Sequence, residues 1–260
     1  MNHEDAARAA ALLWRIRLEQ RRIDALPPEL RPATLNEGYA IQDAMVEIAR
    51  QPVVGWKIAA TSAAGQKHIG VTEPLSGRLF RDFVLTDGAH RPAAPLHMRV
   101  AETEFAFKMG RALPPRGRDY DMGEVCDAVG ALHLAIEIPD ARYEVFDTIG
   151  APSIAADDAF ASWFVLGPEV PGWRRYDPPN LTVRGVKNGA VVAEGTGAAV
   201  LGDPRVALTW IANHLARRGI GLKEADIVTT GTWVKPIEIA PGDTVIADFG
   251  QLGTVTARFD

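Results

Sequence analysis

The chain beyond Gln51 consists mostly of short apolar segments, and Gly, Pro or Asp separates most of them from the next. Short apolar runs between turn-forming residues are typical of buried strands. The pair Asn188-Gly189 suits a type I′ turn, so the residues around it predict a hairpin. The predicted strands are VVGWKIAAT, LHMRVAETEFAFKM, ALHLAIEI, SWFVLG, IVTTG, GDTVIADFG and LGTVTARF, and the predicted hairpin is LTVRGVKNGAVVAEG. The pattern predicts a β-rich body over residues 51–260.

Residues 1–50 have a helical pattern instead. Apolar residues recur at helical spacing over residues 4–22, and prolines then interrupt the pattern. Thr34 and Glu37 have the spacing of a capping box, which predicts that a second helix begins there. We therefore predict an α+β fold in one domain, with a helical region (residues 1–50) before the β-rich body. The strand spacing favours a rolled or sandwiched sheet over a regular βαβ series.

Charge and composition exclude several classes of partner. The net charge is -5 and the pI is about 5.7, which favours neither nucleic acid nor an anionic membrane surface. No apolar run is long enough to span a membrane, and the first residues lack the apolar core of a signal peptide, so we expect a cytoplasmic protein. The single cysteine, Cys126, allows neither an intrachain disulfide nor a thiolate zinc site, and we expect it to be a packed small residue.

Glu102 and Glu104 lie two residues apart in a predicted strand, so both carboxylates point to the same face. Two like charges at this distance repel each other, and a divalent cation would relieve the repulsion because hard cations prefer oxygen ligands. A solvated strand face also explains such a pair.

Glu137 has only apolar residues beside it, in the segment LHLAIEIP. An ionised carboxylate in such surroundings costs several kcal/mol unless a cation pairs with it. Two interpretations remain open from these residues: a salt bridge with Arg142, or a metal site shared with Glu102 and Glu104.

Lys57 lies inside the apolar segment VVGWKIAAT. Such a lysine extends its aliphatic side chain so that the ammonium reaches the surface, or it is held near an anion, where it would bind a substrate carboxylate or transfer protons.

His68 is a candidate general base, with an exposed or structural role as the alternative. Ser62 and Thr232 are candidate hydrogen-bond donors to a substrate oxygen, or they shape turns. The absence of a G-x-S-x-G motif gives no support to a serine hydrolase.

Several of these segments occur together in one known family. VGWKIAATS, GVTEPLSGRLF, VAETEFAF, AIEIPDARY, GAAVLGDPRVALTWIANHL, TTG and APGDTVIADFGQLGTVTARF cover most of the chain from about residue 35. In this order they resemble the fumarylacetoacetate hydrolase superfamily, in its 2-keto-4-pentenoate hydratase and 4-oxalocrotonate decarboxylase branch. The resemblance implies a mixed β-sandwich roll.

The resemblance also implies a function. Glu102 and Glu104, as an E-x-E motif, would hold Mg²⁺ or Mn²⁺ together with Glu137, and Lys57 matches the active-site lysine of the family. The expected activity is that of a metal-dependent lyase, a hydratase or a decarboxylase, on a small 2-oxo acid in the breakdown of aromatic compounds. A C–C or acylpyruvate hydrolase, an oxaloacetate decarboxylase, and a non-catalytic subunit that binds a 2-oxo acid remain alternatives. We expect a homo-oligomer, or a hetero-oligomer with a related hydratase or decarboxylase.

The chain departs from the hydratase pattern at two places. Residues 73–75 read E-P-L instead of E-P-D, so Leu75 replaces a carboxylate that would position water. Residues 157–160 read D-D-A-F instead of D-N-A-S, so Asp158 replaces an asparagine and Phe160 replaces a serine. These changes affect the expected hydration step but not the expected metal ligands. Lys235 resembles a basic residue of members with dicarboxylic substrates, which predicts a contact with a distal carboxylate; an exposed loop lysine is the alternative.

Overall fold

A computed structural model describes all 260 residues. The α-helices are α1 (His3–Leu18), α2 (Leu35–Ala49), α3 (Ala63–Ile69), α4 (Met122–Asp127), α5 (Ala151–Ala156) and α6 (Pro204–Arg217). The strands are β1 (Val53–Ala59), β2 (Leu75–Phe80), β3 (Val84–Thr86), β4 (Ala89–Arg91), β5 (Val100–Met109), β6 (Val129–Ile138), β7 (Trp163–Glu169), β8 (Thr182–Lys187), β9 (Ala190–Thr196), β10 (Ile227–Thr229), β11 (Ile237–Glu238), β12 (Thr244–Asp248) and β13 (Thr254–Phe259). No helix is both long and apolar enough to cross a membrane.

The strands form two sheets. The larger sheet has the order β2-β1-β10-β5-β6-β7-β3, with β11 also paired to β5, and the smaller has the order β4-β13-β12-β8-β9. Both sheets mix parallel and antiparallel pairs. The largest apolar core takes residues from both sheets and from α6. The predicted mixed β-sandwich roll is confirmed, and β5 and β6 lie in the middle of its larger sheet.

The N-terminal helices share a second core with the body. Leu13 of α1 and Ile41 of α2 pack in one cluster with Phe80 of β2 and Phe160, a residue of the segment after α5. The capping box at Thr34 is present. The region 1–50 therefore lies directly on the segment that precedes β7, while the division into two parts stays a prediction.

Some local predictions need correction. The first helix ends at Leu18 rather than near residue 22, and Gln20 has a positive φ of 52°. The strand β2 was not predicted, because the sequence LSGRLF contains Gly77 and Arg78 and lacks a continuous apolar run. All six of its residues are buried, since β2 is covered by α2 and by the segment 158–160.

Candidate metal and substrate site

The three glutamates meet in the centre of the larger sheet. Strands β5 and β6 are antiparallel, and their register places Glu137 directly opposite Glu102. Glu104 lies two residues further along β5, on the same face as Glu102. One carboxylate oxygen from each of the three lies within 4.8 Å of the other two. This spacing suits a shared divalent cation, since hard cations bind several carboxylate oxygens at once.

Burial makes this cluster electrostatically costly without a cation. Glu104 and Glu137 are almost fully buried, and Glu102 is half-buried. Burial, and then the charge of Glu137, raises the pKa of Glu102 to about 7. The same two causes, followed by the charge of Glu102, raise the pKa of Glu104 well above its usual value. In the absence of a cation the cluster therefore retains protons near neutral pH.

Lys57 supplies the positive charge beside this cluster. Its ammonium nitrogen lies 2.9 Å from Oε1 of Glu137 and donates a hydrogen bond to the Ala159 carbonyl oxygen at 3.0 Å. The contact with Glu137 is an ion pair without directed hydrogen-bond geometry. Burial alone would lower the pKa of Lys57, but the charges of Glu137 and Glu102 outweigh burial and raise it. Lys57 is therefore held as a cation.

The salt bridge between Glu137 and Arg142, one of the two interpretations of Glu137, does not form. Arg142 pairs with Asp157 through its Nε atom and also donates to the Asp157 backbone oxygen. Glu137 pairs with Lys57 instead. Residues close in sequence are thus separated here, because Glu137 is within a strand and Arg142 lies in the loop that follows it.

Glu104 is held in place by the last residue of β10 and by the segment that follows it. One of its oxygens, Oε2, accepts hydrogen bonds from the Thr229 hydroxyl and from the Gly231 amide, the latter at 2.9 Å. The sequence had not singled out these two donors, although the segment TTG that contains them was predicted as the end of a strand. They leave the other oxygen of Glu104 free.

Oε1 of Glu104 is buried and accepts no hydrogen bond, whereas Oε1 of Glu137 has the Lys57 ammonium as its partner at 2.9 Å. A buried acceptor without a donor is unfavourable by about 1–3 kcal/mol or more when it is charged. A bound cation would satisfy Oε1 of Glu104 and would share the Glu137 carboxylate with Lys57. The buried all-carboxylate donor set therefore fits a hard divalent cation such as Mg²⁺.

A cavity of about 720 Å³ opens beside this cluster. Lys57 and Glu102 lie in its wall, which joins the charged groups to the space for a small molecule. Five apolar side chains cover another part of the wall and pack with the second core: Ile69, Met98, Phe146, Ile154 and Phe160. The cavity is large enough for a small organic acid, with charge at one place and apolar surface at another.

The other predicted site residues also line this cavity. Ser62 caps α3 by accepting a hydrogen bond from the Gly65 amide, and Thr232 donates to the Val234 carbonyl. His68 and Lys235 line the cavity and are exposed. The structure thus brings the predicted substrate-binding residues to one cavity, while their roles toward a substrate stay predictions.

Comparison with known proteins gives one family. The protein-family model described as fumarylacetoacetate (FAA) hydrolase C-terminal matches residues 45–260 of this chain. The chain is 33% identical over 224 residues to a 2-keto-4-pentenoate hydratase of Burkholderia vietnamiensis. The aligned region covers 85% of this chain and 84% of that protein. It is 31% identical to a 4-oxalocrotonate decarboxylase of Pseudomonas putida over 100% of this chain and 98% of that one.

Solved structures agree with this result. The structure of the 4-oxalocrotonate decarboxylase from Pseudomonas putida G7, complexed with magnesium and adipate, superposes with a TM-score of 0.92. The two chains are 29% identical, and the match covers 100% of this chain and 99% of the other. A fumarylpyruvate hydrolase from Pseudomonas aeruginosa, complexed with Mn²⁺ and pyruvate, is 14% identical with a TM-score of 0.57, which shows a shared fold only.

Proposed function

The chain belongs to the fumarylacetoacetate hydrolase family, and on this premise we propose that it is a divalent-metal-dependent lyase acting on a small 2-oxo acid. The observation that carries the proposal is the buried cluster of Glu102, Glu104 and Glu137, which Lys57 contacts beside a cavity for a small molecule. The proposed cation is Mg²⁺, which prefers carboxylate oxygens, with Mn²⁺ as the alternative.

Each side chain of the site has a separate proposed role. Glu102, Glu104 and Glu137 would hold the cation, which when bound supplies a Lewis acid for the carboxylate and 2-oxo oxygens of the substrate. Lys57, held as a cation by Glu137, would bind the substrate carboxylate and move a proton at its ammonium nitrogen. His68 is the proposed second proton carrier, because it faces the cavity.

Hydrogen bonds and apolar contacts would orient the acid. The hydroxyls of Ser62 and Thr232 line the cavity and can donate to a substrate oxygen. Ser62 can do so while it still accepts from the Gly65 amide, and Thr232 can do so in place of the Val234 carbonyl. The apolar wall that includes Phe146 and Phe160 suits the unsaturated carbon chain of a dienoic acid. Exclusion of water by this wall strengthens the electrostatic contacts at the charged end.

Two lyase reactions fit this site, namely loss of CO₂ from a substrate and addition of water to one. Leu75 is buried in β2, where the hydratase pattern has a carboxylate, so this chain lacks a group expected to position water. Loss of CO₂ needs stabilisation of an enolate but no positioned water. The absence of a carboxylate at Leu75 therefore favours decarboxylation, and the 33% identity to a hydratase keeps hydration as the second candidate.

A substrate panel tests the proposal. Purified protein with Mg²⁺ would be offered 2-hydroxypenta-2,4-dienoate, its carboxylated homologues, oxaloacetate and acylpyruvates, with ultraviolet absorbance and CO₂ release as readouts. We expect turnover of a dienoic or 2-oxo acid that EDTA abolishes and that added Mg²⁺ restores. Binding without turnover would favour a non-catalytic subunit, and hydrolysis of acylpyruvates would favour the hydrolase branch. Turnover that is unaffected by EDTA would contradict the proposal.

Cation binding should depend on pH. Because the pKa of Glu102 is raised to about 7, a cation must displace a proton below that pH. Its affinity should rise as the pH passes upward through 7 and be about tenfold higher at pH 8 than at pH 6, for one displaced proton. A carboxyl whose pKa is raised by folding stabilises the cation-free protein at low pH, and this contribution is lost as the pH rises. Since Mg²⁺ also binds more tightly at the higher pH, the increase in Tm on adding Mg²⁺ should be larger at pH 8 than at pH 6. Titration calorimetry and thermal unfolding at both pH values measure this; equal affinities would contradict it.

Lys235 is proposed to bind a distal carboxylate of the substrate. It lines the cavity, and an exposed lysine at a cavity wall provides a cation without a large desolvation cost. Lys235→Ala should raise KM for a dicarboxylic substrate roughly tenfold, about the weight of one charge-assisted hydrogen bond, and leave KM for a monocarboxylic analogue unchanged. Steady-state kinetics on the pair of substrates provides the measurement. Equal effects on both substrates would show that Lys235 has no such contact.

A further inference from the structure

Three consecutive residues between α5 and β7 have left-handed backbone conformations. The φ angles of Asp158, Ala159 and Phe160 are 55°, 50° and 61°, and none of the three is a glycine. A single non-glycine residue in this region is uncommon, and a run of three is strained. This turn, residues 158–160, therefore requires contacts that hold it in place.

Two buried arginines hold the turn. Arg17 of α1 donates to the Asp158 carboxylate at 3.3 Å and to the Ala161 carbonyl oxygen, and the Arg17 and Asp158 side chains are 5% and 0% exposed. Arg142 donates to the same Ala161 oxygen at 3.1 Å. The Asp158 carboxylate also accepts a hydrogen bond from the Arg78 amide of β2 at 2.7 Å. The N-terminal helix thus contacts a turn 141 residues away in the chain.

Residues 158–160 also contact the proposed active site. The Ala159 carbonyl oxygen accepts the hydrogen bond from Lys57, and the Phe160 side chain lines the cavity. The turn also packs so closely on β2 that a Cβ on Gly77 would lie 2.2 Å from the Asp158 oxygen, so only glycine fits there. A shift of the turn would therefore move both the partner of the lysine and a wall of the cavity.

We propose that Arg17 and Asp158 are positioning residues for Lys57, because together they hold the left-handed turn whose carbonyl fixes the lysine ammonium. The inference rests on the proposed function for its catalytic consequence. It makes the N-terminal helix, which carries no cavity-lining residue, part of the catalytic apparatus. Neither residue hydrogen-bonds to the carboxylate cluster, so we expect the cation site itself to stay intact when the pair is removed.

Arg17→Met and Asp158→Asn test this proposal, and Leu13→Ala serves as the matched control. Leu13 is buried on the same helix and packs in the same core, but it makes no hydrogen bond to the turn. Asp158→Asn keeps an acceptor for the Arg78 amide and removes the charge that faces Arg17. The double variant, Arg17→Met with Asp158→Asn, leaves no unpaired buried charge and remains a test if Arg17→Met alone does not fold.

We expect Arg17→Met and the double variant to lower kcat roughly 10- to 100-fold, since displacement of a catalytic group by about 1 Å has effects of this size. The dissociation constant for Mg²⁺ should stay within about twofold of wild type, because those ligands are on β5 and β6. Backbone hydrogen exchange of residues 157–162 should accelerate in these variants. Leu13→Ala should lower Tm but leave kcat and this exchange unchanged at a temperature where the protein is folded.

Equal losses of Tm with unchanged kcat in all variants would overturn the proposal, because Arg17 would then only support helix packing. So would unchanged exchange in residues 157–162 after Arg17→Met. If wild type itself turns over no acid in the panel, the proposed function fails. In that case accelerated exchange, together with weaker binding of oxalate to the Mg²⁺-loaded variant, would still support the positioning of Lys57.

Discussion

Glu137→Gln should abolish measurable Mg²⁺ binding and lower kcat/KM by on the order of 10³-fold, the largest effect expected of any single substitution here. Glu137 lies opposite Glu102 and supplies a buried carboxylate to the cluster. An amide has nearly the same shape but no negative charge. The variant also leaves the Lys57 ammonium without its ion-pair partner at 2.9 Å.

Titration calorimetry with Mg²⁺ and steady-state kinetics at saturating Mg²⁺ check this result. Glu238→Gln is the matched control, because Glu238 is on β11, the short strand that also pairs with β5, but is exposed. It should leave cation affinity and kcat/KM within about twofold of wild type, as expected of a surface substitution. Turnover by Glu137→Gln that survives removal of the cation would contradict the assignment of the three carboxylates.

Lys57→Met should retain cation binding but lose catalysis, whereas Glu137→Gln should lose both. We expect kcat to fall on the order of 10²- to 10³-fold, because the ammonium both moves a proton and stabilises negative charge on the substrate. Removal of the ammonium makes the cluster more negative, so a cation should bind at pH 8 at least as tightly as in wild type. The cation-free variant should unfold at a lower temperature, since the three carboxylates of the cluster then lack their only ion pair.

Lys108→Met provides the matched control for this variant. Lys108 also lies in an apolar strand sequence, on β5, but its side chain is exposed. It should change kcat, cation affinity and Tm little. Loss of Mg²⁺ binding in Lys57→Met, measured by calorimetry at pH 8, would show that the lysine supports the cluster rather than the reaction.

Much of the site was predictable because strand geometry is local. Side chains alternate along a strand, so Glu102 and Glu104 had to share a face wherever the strand was placed. Apolar neighbours likewise predicted that Glu137 is buried. The helix cap at Thr34 and the turn at Asn188-Gly189 follow from the same kind of local chemistry, and the structure has both.

The partners of these residues were not predictable in the same way. Glu137 could pair with Arg142 or with a distant group, and the structure shows Lys57 at 2.9 Å. The turn at residues 158–160 has no local signal, and Arg17, which donates to it, lies near the other end of the chain. Thr229 and Gly231 reach Glu104 only because β10 pairs with β5.

A comparison of Lys57 with Lys108 shows what the sequence by itself determined and what only the tertiary structure decided. In the sequence each is a single lysine within an apolar strand, and strand formation follows from those neighbours. In the structure Lys57 is 4% exposed beside Glu137, and Lys108 is exposed. The period of a strand determines which face a side chain occupies, but the register and packing of strands far apart in the chain determine whether that face meets water or a carboxylate.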